Sequence, residues 1–253
     1  MAVDTTGELW HKRLCHMSQK GIHMLAEKEL LPKIKKVHLD KCPDCLAGKQ
    51  FRAAFRPRPP MRRKNALELV YTHVCQVEAK SHAGAQYFVT FIDDYNRKLW
   101  AYVLKTKDQV LSVFKEAQVQ TERESGQKLK AVQTDNGGEY RGLFQEYCRA
   151  QGIRLEYTVP KTPELNGIAE RMNQTIMERV RCMLAHAKLP KNYWPEALKT
   201  VVYVTNRSPS VPVGGDVPQR VWTCKDVSYR HLRVFGCLSY VHIAKDRREK
   251  LDL

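Results

Sequence analysis

Residues 130–175, KAVQTDNGGEYRGLFQEYCRAQGIRLEYTVPKTPELNGIAERMNQT, decide how this chain is read. A short run of strand-forming residues, Leu129 to Thr134, delivers an acid, Asp135, into a turn made by Asn136, Gly137 and Gly138. A helical segment follows, then a second strand over residues 153–158. The loop after it, holding Pro160, Pro163 and Gly167, opens a long helix that carries Glu170, with 34 residues between the two acids. Thr162-Pro163-Glu164 is a good helix start: a capping hydroxyl, proline at the first position, then an acid. Ile168, Met172, Ile176, Val180 and Met183 recur at helical spacing as the buried stripe. Glu170, Asn173, Gln174, Met177 and Arg181 fall on another face. An acid at a strand end and a second on a later helix suit a site where carboxylates hold Mg²⁺ or Mn²⁺ over a phosphodiester. Two carboxylates alone are also what a solvated surface provides.

Working outward, a strand at residues 67–77, strands at 87–92 and 99–104 and a helix at 108–124 precede this stretch. Three strands, a helix, a strand, a helix, a strand and a helix are the order of an α/β protein with a mixed sheet. Residues 188–209 read as a further helix, and residues 229–243 as a strand pair. The net charge of +16 is unevenly spread. Residues 1–64 carry 15 basic against 6 acidic side chains, residues 65–160 carry 12 of each, and residues 161–253 carry 16 against 9. A neutral middle between basic ends points to a polyanionic partner, because neutralising phosphates releases counterions; a surface serving solubility is the plainer reading. No run of 18 apolar residues suggests a membrane span, and no apolar leader is visible at the N-terminus. The eight cysteines are unevenly spaced, which favours free thiols and a metal site over a disulfide framework.

That metal site is the sharpest signal outside the opening stretch. His11 and His16 lie five apart, Cys42 and Cys45 three apart, and two imidazoles with two thiolates make a closed tetrahedral Zn²⁺ shell. Buried cysteines beside surface histidines are the competing reading. Ile22, Leu25, Leu30 and Leu31 give an apolar stripe that could back the knuckle, and so small a module would draw much of its folding free energy from metal. Next comes a basic, proline-rich linker, LAGKQFRAAFRPRPPMRRK. Its Lys49, Arg52, Arg56, Arg58, Arg62, Arg63 and Lys64 form either a phosphate-tracking strip or a merely solvated tether.

QTDNGGEY followed by TPELNGIAERMNQTI resembles the second and third acidic motifs of copia-type LTR-retrotransposon integrases. LWHKRLCHMS, CPDCLAGKQ, YFVTFIDDYNRK, LPKNYWPEAL, NRSP and HLRVFGCLSYVHI resemble further blocks of that family, in the same order. The resemblance implies an RNase H-like catalytic core of the DDE polynucleotidyl transferase class, preceded by a His-His-Cys-Cys zinc-binding pre-integrase module. It implies catalytic Mg²⁺ or Mn²⁺, DNA ends and target DNA as partners, a homo-oligomer on DNA, and other Pol polyprotein segments. By analogy, action would be nuclear and assembly cytoplasmic. It divides the chain into a zinc module (1–48), a basic linker (49–64), a catalytic core (65–210) and a basic β-containing extension (211–253). The end at KLDL is expected to mark either a fragment of a polyprotein or a truncated copy. Lys161, Asn166, Arg171 and Asn173 become candidates for DNA phosphates. Asn206 and Arg207 are candidates too, unless they cap a helix.

Two departures matter. Cys15 stands where relatives usually have glycine, which predicts strain in the turn before His16. In LELVYTHVCQV the first acid of the triad is replaced by His73, and Gln76-Val77 replace Gly-Pro. Neutral imidazole is a poor ligand for hard Mg²⁺, though it binds Mn²⁺ or Zn²⁺. Asp93 and Asp94 are the nearest spare acids, expected in a turn launching the next strand. The expectation is an integrase-like DNA-binding protein with a damaged metal site. The alternatives are a domesticated interaction module without catalysis, or an active integrase using a substitute ligand.

Overall fold

A computed structural model describes residues 6–31, 34, 38–48, 62–158 and 167–239. Five strands, β1 (Val70–Gln76), β2 (Tyr87–Asp93), β3 (Leu99–Leu104), β4 (Ala131–Thr134) and β5 (Arg154–Tyr157), form one sheet in the order β3-β2-β1-β4-β5. The β1–β2 and β2–β3 pairs are antiparallel, whereas β4 runs parallel to both β1 and β5. Parallel neighbours need a crossover. Here α4 (Val110–Ser125) links β3 to β4, and α5 (Leu143–Ala150) links β4 to β5.

Strand side chains alternate between faces, and the two faces fill two cores. Val70 and Val74 of β1 and Val89 and Phe91 of β2 pack under α4 and α5, with Phe114, Tyr140 and Phe144. Tyr71, Phe88, Ile92 and Leu99 point the other way, toward α6 (Gly167–Ala187) and α7 (Trp194–Thr205), where they meet Ile176, Val180, Trp194 and Val201. The same core continues through Trp10 of α1 (Thr6–Arg13), then Leu14, then Ile22 and Leu25 of α2 (Gln19–Glu27). A side chain such as Phe88 or Ile22, fully buried here, contributes about 1.5–3 kcal/mol. The architecture is the α/β, RNase H-like mixed five-stranded sheet flanked by helices, with a small helical module before it. No helix among the described residues is long and apolar enough to cross a membrane.

Of the expected strand pair over 229–243, residues 229–239 form turns and irregular backbone, not strand, and residues 240–243 lie outside the described residues; Tyr229 and Leu232 bury against the α7 side of the core. After α7 the described residues make a bridge, Ser210 to Asp216, a 3-10 turn at Val211–Val213 and a short helix α8 (Pro218–Thr223).

Candidate functional site

Parallel pairing of β1 and β4 sets His73 beside Asp135, the residue that follows β4. His73 Nδ1 lies 3.0 Å from Asp135 Oδ2, with both side chains about a quarter to a third exposed. No well-aligned hydrogen bond joins the two atoms, so proximity defines this contact. Burial opposes ionisation of Asp135. The nearby imidazole and the Gly137 N–H, which donates to Oδ1 at 3.0 Å, outweigh it and hold the carboxyl below its usual range. A Cβ on Gly137 would sit 3.0 Å from Asp135 Oδ1 and 2.8 Å from the Glu139 carboxyl, so a larger residue here would displace one of those side chains. Asn136 Nδ2 donates to Thr158 O, and the buried Tyr140 shares a hydrogen bond with Thr72 Oγ1 of β1 at 2.9 Å. The loop bearing the acid is therefore tied to β5 and to β1.

Glu170 stands half-buried in the first turn of α6, which packs across β1 and β2. Its carboxylate does not close onto the His73–Asp135 pair: among the described residues, the one cluster of metal-ligating side chains lies elsewhere. Asp93 and Asp94 do not reach inward as substitutes. Asp93 accepts the Leu67 and Asn96 N–H groups at 2.8 and 3.0 Å, and Asp94 accepts the Arg63 N–H and pairs with Arg97 at 3.1 Å. They build the turn before β3. Burial pushes Asp93 up to about 6, against its backbone hydrogen bonds. The donor set at the acid site, one imidazole and one carboxylate in contact, does not fit a Mg²⁺ site of three carboxylates.

The cluster elsewhere is His11, His16, Cys42 and Cys45, whose ligand atoms all lie within 4.8 Å of one another. His11 Nε2 is 3.1 Å from His16 Nδ1, Cys42 Sγ is 3.4 Å from His16 Nδ1, and Cys45 Sγ is 3.4 Å from His11 Nε2. These are the edges of a tetrahedron whose centre is ~2.0–2.3 Å from N and S donors, which fits zinc. His11 Nδ1 donates to Met17 O at 2.7 Å, so its Nε2 carries the lone pair toward the centre. His11 lies in the last turn of α1, and His16 follows in a tight turn whose Cys15 and His16 both have positive φ, 51° and 58°. The predicted strain at Cys15 is present, and it extends to His16. The Cys15 thiol is buried and pushed up to about 12 by desolvation, so it is packing, not a ligand. Cys42 precedes and Cys45 lies within α3 (Pro43–Gly48).

The predicted DNA contacts divide. Lys49, Arg52, Lys161, Asn166 and the helix start at Thr162 lie outside the described residues, as do residues 240–253. Arg63, Lys64 and Arg171 are exposed. Arg62 directs its guanidinium at the carbonyls of Pro212 and Tyr95. Asn173, expected to face outward, is corrected: it is buried, and its Oδ1 accepts from Thr90 Oγ1 at 2.8 Å. Met177 packs against the core and Arg181 donates to Gly48 O, so that face of α6 is not free. Asn206 is a structural clasp, bonding both N and O of Leu99, while Arg207 lies over the Tyr203 ring. The sequence reading missed Cys182 and His186, which approach the metal cluster from α6; their i, i+4 spacing of ligand-type residues was the available signal.

Two family models match the chain, a GAG-pre-integrase domain over residues 1–50 and an integrase core domain over residues 64–163. The chain belongs to the copia-type retrotransposon integrases. This integrase sequence is 54% identical, over 97% of its length, to the retrovirus-related Pol polyprotein from transposon TNT 1-94 of Nicotiana tabacum. It is 32% identical over 98% of its length to the Pol polyprotein from transposon RE1 of Arabidopsis thaliana. The integrase chain spans only 18% and 17% of those two relatives. Among solved structures, a simian T-cell lymphotropic virus intasome in complex with PP2A regulatory subunit B56 gamma matches with a TM-score of 0.54 and 18% identity. That match covers 81% of this chain and 69% of the matched one, a likeness of fold.

Proposed function

We propose that this integrase segment binds DNA as part of a retroelement integration assembly, with strand transfer impaired by His73. One observation carries the reading: His73, in place of the first acid, lies 3.0 Å from the second, Asp135. In an intact site two carboxylates on adjacent strands would share a divalent cation that activates water or a 3′-hydroxyl for in-line attack on phosphate. Here an imidazole lies against Asp135 and supplies nitrogen where Mg²⁺ prefers oxygen. Glu170, on α6, stands apart from that pair among the described residues, whereas His11, His16, Cys42 and Cys45 together suit Zn²⁺. The basic segments around Arg63, Lys64 and Arg171 take DNA phosphates. The intasome neighbour supports an oligomer on DNA ends.

The test is strand transfer of a labelled DNA end in Mg²⁺ and in Mn²⁺, comparing the native chain with His73→Asp and Asp135→Asn. The expected outcome is little product from the native chain and a gain of about 100-fold in His73→Asp, equivalent to about 2.7 kcal/mol of barrier. Robust native activity that disappears in Asp135→Asn would overturn the impairment and make His73 a working ligand.

A further inference from the structure

The metal cluster is not confined to the N-terminal module. Residues on either side of Cys45 are held by α6. Asp44 O accepts from Cys182 Sγ at 3.0 Å, and Asp44 Oδ2 is 3.8 Å from His186 Nδ1. Gly48 O accepts from Arg181 Nη2 at 2.8 Å, and the His186 ring stands edge-on to the His16 ring at 6.1 Å. A Cβ on Gly48 would meet Cys182 Sγ at 2.6 Å and Glu178 O at 3.1 Å, so α3 lies against α6 as closely as backbone allows. Residues 178, 181, 182 and 186 share one helical face.

We propose that α6 is the other half of the zinc site, with Arg181, Cys182 and His186 as positioning residues that hold α3 in its ligating conformation. The free knuckle would have to be ordered by the metal alone; docking on α6 supplies part of that order beforehand, so it raises zinc affinity. Coupling of this kind is reciprocal: if docking favours zinc, zinc favours docking and stabilises the C-terminal half of α6. The consequence reaches the acid site, because Glu170 opens the same helix.

Zinc affinity measured by competition with a chromophoric chelator tests this on the full chain. Gly48→Ala leaves every ligand in place yet must push α3 off α6. It is expected to weaken zinc binding at least about tenfold, the size of effect seen for groups that orient metal ligands. Adding Cys182→Ala removes the nearer obstacle but also the thiol's hydrogen bond to Asp44 O, so zinc affinity should recover only in part. Amide hydrogen exchange over residues 178–187 supplies a readout independent of affinity: it should quicken when zinc is stripped. Should Gly48→Ala fail to fold, Arg181→Ala, which deletes the hydrogen bond without adding bulk, decides by the same two readouts. Unchanged zinc affinity in the folded variant, or α6 exchange indifferent to zinc, overturns the coupling. The inference rests on zinc filling the shell; failure of the native chain to bind zinc would sink that reading itself, a result distinct from tight binding insensitive to α6.

Discussion

Asp93 and Asp135 leave opposite marks on stability against pH. For Asp93, pushed up to about 6, the folded chain keeps a proton between roughly pH 4 and 6 that the unfolded chain has released. Its contribution therefore falls as pH rises through that window, by at most about 3 kcal/mol. Asp135, held below its ordinary value, contributes stability that is full above about pH 4 and is lost as pH falls through its folded value. Thermal unfolding followed from pH 3 to 7 should show the decline between 4 and 6 flattened in Asp93→Asn, and the acid-side loss reduced in Asp135→Asn. At this scale the sequence was legible where chemistry restricts residue choice. Asp135 announced itself through its glycines, and His73 through the missing acid. Asn173 did not, because spacing sorts polar from apolar but cannot show that Thr90, 83 residues away, waits inside to bond it.

The helix α6 is the element on which most of the molecule converges, touching β1, β2, α3 and α7. Its apolar stripe was readable from periodicity, and Ile176, Val180 and Met183 are buried as the spacing requires. Ile176 is fully enclosed, so Ile176→Ala should cost about 2–5 kcal/mol, read as a lower urea midpoint with the slope unchanged. A loss under about 1 kcal/mol would mean that the surrounding side chains collapse into the space. Elements beyond α7 were misread for a physical reason. Apolar residues such as Leu232 and Val234, two apart, fit a strand, and burial in strand form requires a neighbouring strand, which the described residues do not offer there. Docking of α3 on α6 was equally hidden, since it joins residues 133 and 138 positions apart through a carbonyl each.

Charge is a property of the whole molecule, and at +16 it sets the prediction for DNA. The logarithm of affinity for duplex DNA should fall linearly with the logarithm of salt concentration, with a slope of about −0.9 per phosphate neutralised. Filter binding or fluorescence anisotropy between 50 and 200 mM salt, roughly a 10³-fold loss if six or more phosphates are engaged, checks it; a flat response would remove DNA as the partner of the basic segments. The acid site and the cores are also separate at this scale. His73, Asp135 and Glu170 are all partly exposed, and none belongs to either buried cluster. Mutation can therefore erase the reaction without unfolding the chain. A chain that folds and packs well is therefore no sign that the chemistry of such a site survives.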